Sequence, residues 1–337
     1  MIEDCAKLTV YFGERDRAGG IFLADALIDL FERRGVPASV LARGIEGFGI
    51  KHRLQSQREL SLSEDLPMVA ATVDRPGRMA AVAREALALA GHGVITLERA
   101  RMLSGRLEDV DLDADPVKLT LWVGRHERAG GRPAFVAVVD ALRAAGVDGA
   151  AVFLGVDGTR DGARYRGRFF GRNARTPLVL LASGAGPAMA RALRAIDRLV
   201  PKPLALIERV HTRAPAEVPA GSAVKVMVYA PENTQAHGHA LHVELIRRLR
   251  AAGADGATAL RGIWGYQGRD AVPGGDRLLA LRRRVPVVTT IIDAPERAAA
   301  WYPLVEELTA GRALVTVERV PARRAAAPGA VEGDLDL

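Results

Sequence analysis

Three glutamates stand at matching places in the chain: Glu98, Glu208 and Glu318, within TLERA, LIERV and TVERV, 110 residues apart at each step. A carboxylate at a strand end is a group that can serve as general acid or base. Each is followed by arginine, however, so an ion-paired structural glutamate fits the recurrence better. His237, His239 and His242 cluster at the start of an expected helix, and His239 and His242, at i and i+3, could share a metal ion. No neighbouring residues complete a ligand set, so no metal site is assigned. The stretch RYRGRFFGRNAR, Arg164 to Arg175, interleaves arginine and glycine with Tyr165, Phe169 and Phe170. That pattern suits single-stranded nucleic acid; an arginine-rich signalling loop is the competing reading. GERDRAGG and GRHERAGG have the setting of a phosphate loop, between strand and helix, but no GK[ST] or GxGxxG accompanies them, and they read as glycine turns. There is no GxSxG, and Cys5 stands alone near the N-terminus. No catalytic set is assigned, and a non-enzymatic protein is expected.

The wider composition agrees. With 337 residues, 49% of them hydrophobic, the chain has material for two or three packed domains, which excludes wholesale disorder. No apolar run approaches the roughly 18–20 residues of a membrane span. MIEDCAKLTV has neither a basic n-region nor an apolar h-region, and a single cysteine makes no internal disulfide, so a cytoplasmic location is expected. The net charge is +7, yet lysine occurs only at 7, 51, 118, 202 and 225, the other basic residues being arginine. With abundant alanine this resembles codon bias more than a nucleic-acid footprint, although a basic balance does favour anionic partners such as phosphates.

Internal repetition dominates the sequence. KLTVYFGERDRAGG, KLTLWVGRHERAGG and KVMVYAPENTQAHG start at Lys7, Lys118 and Lys225. Behind them follow Gly35, Gly146 and Gly253, then Gly44, Gly155 and Gly262, then Gly47, Gly158 and Gly265, then Pro67, Pro177 and Pro286, and last the three glutamates. The boundaries this implies are repeat 1 over 1–103, an acidic linker 104–116, repeat 2 over 117–211, a linker 212–223, repeat 3 over 224–320 and a disordered tail 321–337.

Within repeat 1, Leu8, Val10 and Phe12 alternate with Lys7, Thr9 and Tyr11, which predicts a strand with two different faces. Phe22, Leu23, Ala26, Leu27, Leu30 and Phe31 make one helical stripe, with Gly35 at its C-cap. Strands over 38–41 and 68–73, a helix near 79–89 and a strand over 94–97 complete a β-α-β-β-α-β unit, the ferredoxin-like order. Helices cover one sheet face only. The other carries Lys7, Lys118 and Lys225 with Tyr11, Trp122 and Tyr229, one of each per repeat, which predicts burial against a neighbour. Three such sheets repeating one heterologous contact close into a ring.

LTVYFGERDR, LADALIDLFERRGV, RGIEGFGIKHRL, LSEDLP and VITLERARML in repeat 1, and the looser copies after it, resemble the PII-like family classed as domain of unknown function 190. The family usually has one such domain per chain. The resemblance implies three tandem ferredoxin-like domains closed as an intrachain pseudo-trimer. It also implies a regulator that senses ATP, ADP, AMP or a similar anion in inter-repeat clefts and signals through long loops to a partner such as a membrane transporter. It places nucleotide-binding positions at Gly44, Glu46, Gly47, Gly49 and Lys51 in the base of the long loop, at Gly91, His92 and Gly93 in the turn before the last strand, and at Arg99 and Arg101, in the part after the last strand that a neighbouring unit contributes to a cleft. In the other repeats the matching positions are Lys202, Arg209, Gly262, Gly265, Gly311, Arg312 and Arg319. Repeat 2 departs from the pattern with Pro201 and Pro203 at the turn, where two amide donors are lost, so unequal clefts are expected. The alternative is a ligand-free structural or nucleic-acid-binding module using the basic aromatic loop of repeat 2.

Overall fold

The computed structural model describes residues 2–49, 54–56, 65–103, 106–107, 110–165, 177–201, 203–211, 223–268, 285–325, 332–333 and 335. Repeat 1 comprises β1 (Ile2–Gly13), α1 (Leu23–Arg33), β2 (Ala38–Arg43), β3 (Glu46–Phe48), β4 (Pro67–Asp74), α2 (Pro76–Leu89) and β5 (Val94–Leu103). Repeat 2 comprises β6 (Pro116–Gly124), α3 (Ala134–Ala144), β7 (Gly149–Leu154), β8 (Asp157–Arg160), β9 (Pro177–Ala185), α4 (Gly186–Leu199) and β10 (Leu204–Arg209). Repeat 3 comprises β11 (Ala223–Pro231), α5 (Leu241–Ala251), β12 (Ala257–Arg261), β13 (Trp264–Gln267), β14 (Pro286–Asp293), α6 (Pro295–Thr309) and β15 (Leu314–Val320), followed by β16 (Ala322–Ala325). These are three tandem mixed α/β domains with antiparallel sheets. Within each repeat the spatial order is second, third, first, fourth strand: β2-β4-β1-β5, β7-β9-β6-β10 and β12-β14-β11-β15.

Local chemistry accounts for the elements. In β1, Ala6, Leu8, Val10 and Phe12 enter one core with Leu23, Leu27, Leu30 and Phe31 of α1 and Met79, Val82 and Ala83 of α2. Pro76 begins α2, where its missing N–H costs nothing. The glycine stretches before the first helix of repeats 1 and 2 are hairpin turns, not phosphate loops: Arg17–Ala18 pairs with Ile21–Phe22, and Gly19 and Gly20 have φ of +54° and +91°, a left-handed turn that glycine adopts without steric cost.

The repeats also pair with one another. β8 of repeat 2 lies antiparallel on β2 of repeat 1, β13 of repeat 3 on β7 of repeat 2, and β3 of repeat 1 on β12 of repeat 3. A second set joins the fourth strands: β10 pairs with the far end of β5, His211 bridges to Val317, and β16 pairs with the near end of β5. Apolar side chains support all three joins; between repeats 1 and 3, Phe48 and Ile45 of repeat 1 pack into the core of repeat 3. Cys5, Val40, Val73 and Ala100 meet Trp122, Val179 and Leu206 between repeats 1 and 2. Ala151 and Phe153 meet Met227, Tyr229 and Val288 between repeats 2 and 3.

Three boundaries differ from the sequence reading. β5 continues to Leu103 instead of stopping near Glu98, because its extension pairs with both Ile2–Cys5 and β10. The acidic linker 104–116 is not wholly exposed: Leu107, Val110 and Leu112 sink into the core of repeat 2. The tail expected from 321 onward begins with β16, whose Ala322 enters the core of repeat 1.

Candidate functional site

Lys7, Lys118 and Lys225 alternate with Glu98, Glu208 and Glu318 in a closed, buried ring of six charges. Lys7 lies against Glu208 and 3.0 Å from Glu98; Lys118 lies against Glu318 and 3.3 Å from Glu208; Lys225 lies against Glu98 and 2.6 Å from Glu318. Every lysine thus joins glutamates of two repeats, and every glutamate joins two lysines. The first strand of each repeat carries the lysine and the fourth carries the glutamate, with Lys7, Lys118 and Lys225 in register with Glu98, Glu208 and Glu318. Thr96 donates to Glu98 at 2.8 Å and Thr120 to Glu208 at 3.3 Å.

The lysines hold Glu98 and Glu318 in the charged form. Burial opposes ionisation of Glu98, but Lys225, Lys7 and Lys118 outweigh it and push its pKa well below the ordinary value; Glu318 moves the same way under Lys118, Lys225 and Lys7. Burial also disfavours the Lys7 ammonium, which Glu208 and Glu98 nevertheless hold above its usual pKa. Lys118 behaves oppositely: burial lowers it to about 8 despite Glu208 and Glu318. Every ammonium has two carboxylate neighbours, and three lysines face three glutamates. Oxygens of the three carboxylates lie within 4.8 Å of one another, the spacing a metal ion would use. Three ammoniums already neutralise them, so the arrangement is an ion-pair cluster.

The glutamates' partners are therefore lysines from elsewhere in the fold, not the arginines that follow them; Arg99, Arg209 and Arg319 are exposed. The signal was present, since three of the rare lysines recur on the same strand face.

The recurring glycines sit where repeats meet. The amides of Gly44, Gly155 and Gly262 donate to the carbonyls of Pro67, Pro177 and Pro286 at 2.7, 3.0 and 2.8 Å. The next amides, of Ile45, Val156 and Ile263, cross to Ala259, Leu41 and Val152 of another repeat at 2.9, 2.7 and 2.7 Å. A Cβ on Gly47, Gly158 or Gly265 would stand 2.6, 2.4 or 2.1 Å from a carbonyl oxygen of that other repeat. The expectation that Gly44, Gly47, Gly262 and Gly265 offer amides or space to a ligand is thus corrected: they allow strands of two repeats to approach. Glu46 is buried, 3.8 Å from His242 of repeat 3, and Gly49 is exposed. His239 is exposed while His242 is buried, so the two do not face a common site. Lys51, Lys202 and residues 166–175 lie outside the described residues.

Arg164, expected in a nucleic-acid loop, instead joins repeats 1 and 2. It holds Asp157 at 2.7 Å and reaches Asp29 and Asp25 on α1.

Gly91 and His92 are exposed, and Gly93, at φ +107°, passes so close to Tyr11 that a Cβ would be 2.2 Å from its carbonyl oxygen. Arg101 lies seven residues from Val94 along β5, about 23 Å at strand rise, and Arg99 about 17 Å. Both arginines thus lie far along β5 from the turn of their own repeat. Arg101 stands opposite Ile207 of repeat 2. Arg324, which the sequence reading left in the tail, comes near this turn through its backbone: β16 pairs Ala325 with Val94 and Arg324 with Ile95, while Arg324 Nη1 donates to Leu87 O of α2 at 2.8 Å. Gly311, at φ +71°, is exposed; Arg312, also exposed, donates to the Gln235 carbonyl at 2.9 Å. Arg209 lies 3.8 Å from Asp113.

Among the described residues no helix is long and apolar enough to cross a membrane. One solved structure, aspartate kinase from Synechocystis, is similar at 14% identity and a TM-score of 0.28, over 96% of this chain and 45% of that one. A score that low relates neither the folds nor the activities. The family described as "Uncharacterized ACR, COG1993" (DUF190) matches three times in tandem, over residues 5–102, 116–212 and 223–322. With its repeats matched one by one across most of its length, the chain belongs to the DUF190 family.

Proposed function

We propose that this protein is a non-enzymatic PII-like regulator. Its three ferredoxin-like units close on one another within one chain as a pseudo-trimer. An adenine nucleotide or similar anion is sensed at the inter-repeat junctions, and the stretches that follow β3, β8 and β13 signal to a partner such as a membrane transporter.

One observation carries the reading. The strand from which each of those stretches departs is paired to a different repeat: β3 to β12, β8 to β2 and β13 to β7. A ligand that shifts a junction therefore shifts the base of a loop, which couples binding to a distant surface without catalysis. The strand pairing also revises which residues form a cleft: the Gly91–Gly93 turn of repeat 1 acts with Arg324, whose guanidinium suits phosphate oxygens.

Calorimetric titration with ATP, ADP, AMP and cyclic AMP, each with and without magnesium, tests this. Saturable binding is expected, removed at the repeat 1 turn by Arg324→Ala and kept by Arg99→Ala, which lies about 17 Å away along β5. No binding of any of the four sinks the reading. Light scattering tests the closure separately: a single chain of 36.0 kDa is expected in solution.

A further inference from the structure

The chain itself joins repeat 1 to repeat 2 and repeat 2 to repeat 3, but no peptide joins repeat 3 to repeat 1. That junction also has the shortest hairpin ladder. Phe48, Gly47 and Glu46 face Ala257, Thr258 and Ala259, three pairs, where the other two junctions have four. In compensation, the fourth-strand contact is longest here. Ala322, Arg323, Arg324 and Ala325 face Leu97, Thr96, Ile95 and Val94, against three pairs between repeats 1 and 2 and one isolated bridge between repeats 2 and 3.

Arg323 ties this strand back to repeat 3. Its side chain is 1% exposed, 3.0 Å from Asp255 and 3.6 Å from Asp293. Arg297 holds the same two carboxylates at 2.7 and 3.0 Å, and Trp301 Nε1 donates to Asp293 at 3.0 Å. The strand thus has its backbone on repeat 1 and its buried charge in repeat 3. Met102, which faces Leu206 of repeat 2 as Arg323 faces Thr96 of repeat 1, fills the corresponding place between repeats 1 and 2 with an apolar side chain.

We propose that Ala322–Ala325 with Arg323 is a latch across the junction the chain leaves open, and that this junction is where the ring opens, so that repeat 3 of one chain can close on repeat 1 of a second copy. The inference rests on the closed single-chain reading above.

Two populations of the full chain with distinguishable tags are mixed, and mixed-chain species are sought by size exclusion with light scattering. Hydrogen exchange is followed at the amides of Ile45, Val156 and Ile263, which report one junction each. The wild type is expected to stay a 36.0 kDa monomer without mixed species. Arg323→Leu, which removes the buried charge and leaves an apolar side chain, is expected to yield mixed-chain oligomers and to speed exchange at Ile45 by more than about tenfold, equivalent to ~1.4 kcal/mol, with Val156 unchanged. A second variant acts in the opposite sense and does not depend on a weakened protein. Ile95 and Arg324 face each other in the ladder, where Cα atoms about 4.5–5.5 Å apart fit a disulfide. Ile95→Cys with Arg324→Cys, once oxidised, is expected to slow exchange at Ile45 relative to its reduced form. The latch is refuted if Arg323→Leu remains a monomer with unchanged exchange, if all three amides accelerate together, or if the cross-link leaves Ile45 unaffected. A wild type that is an obligate trimer of chains refutes the closed reading instead, and the latch with it.

Discussion

Replacing Lys118 with methionine tests the charge ring directly. The side chain is 1% exposed and contacts Glu208 and Glu318. Its loss leaves two lysines against three glutamates in a site with almost no solvent. Removing one partner of a buried ion pair costs about 3–5 kcal/mol, because the charge left behind is uncompensated. Total stabilities of about 5–15 kcal/mol make that a large fraction. Urea unfolding at neutral pH, followed by tryptophan fluorescence and circular dichroism, measures it. The reasoning has a second part. Adding Glu318→Leu to Lys118→Met restores neutrality with two lysines and two glutamates, so the double variant should be more stable than the sum of the single losses by about 1–3 kcal/mol. A cost for Lys118→Met below about 1 kcal/mol, as for an exposed pair, would refute the ring as a structural element. So would strict additivity in the double variant.

Acid should act on the same ring. Glu98 and Glu318 are lowered in the folded state relative to an ordinary value of 4.5, so their contribution is complete above that pH and is lost as pH falls through their folded values. Urea midpoints measured from neutrality downward should fall below about pH 4.5, and less steeply in Glu98→Gln. Gly158→Ala puts a Cβ 2.4 Å from the Ser39 carbonyl oxygen and should cost about 1–3 kcal/mol by forcing β8 off β2, whereas Gly49→Ala meets nothing within 4 Å and should be nearly silent in the same melt.

The β5 strand illustrates how far local pattern reaches. Val94–Leu97 alternates toward a core and was legible as a strand, but its continuation to Leu103 depends on Ile2–Cys5 and on repeat 2 lying alongside. Hydrophobic periodicity records burial against the same unit's helices; it does not record which edge another repeat will occupy. The same limit affected the candidate site. Gly44, Gly47, Gly262 and Gly265 were recognisable as positions where a side chain is excluded, yet the excluding group is a proline or a backbone carbonyl, much of it from another repeat, and not a ligand. Arg324 was passed over because nothing local distinguishes it from a tail, whereas β16 carries it to the 91–93 turn.

The sequence by itself determined the three repeats, their alternating elements and the recurrence of one lysine and one glutamate in each, because these follow from spacing along a single strand or helix. Only the tertiary structure decided that each lysine meets glutamates of two repeats, that Arg164 serves a junction, and that Arg323 binds repeat 3 from a strand lying on repeat 1. Ion pairs between residues 127 to 201 positions apart leave no periodic trace in a single chain. They exist only where strands of different repeats come together and a buried charge must find a partner.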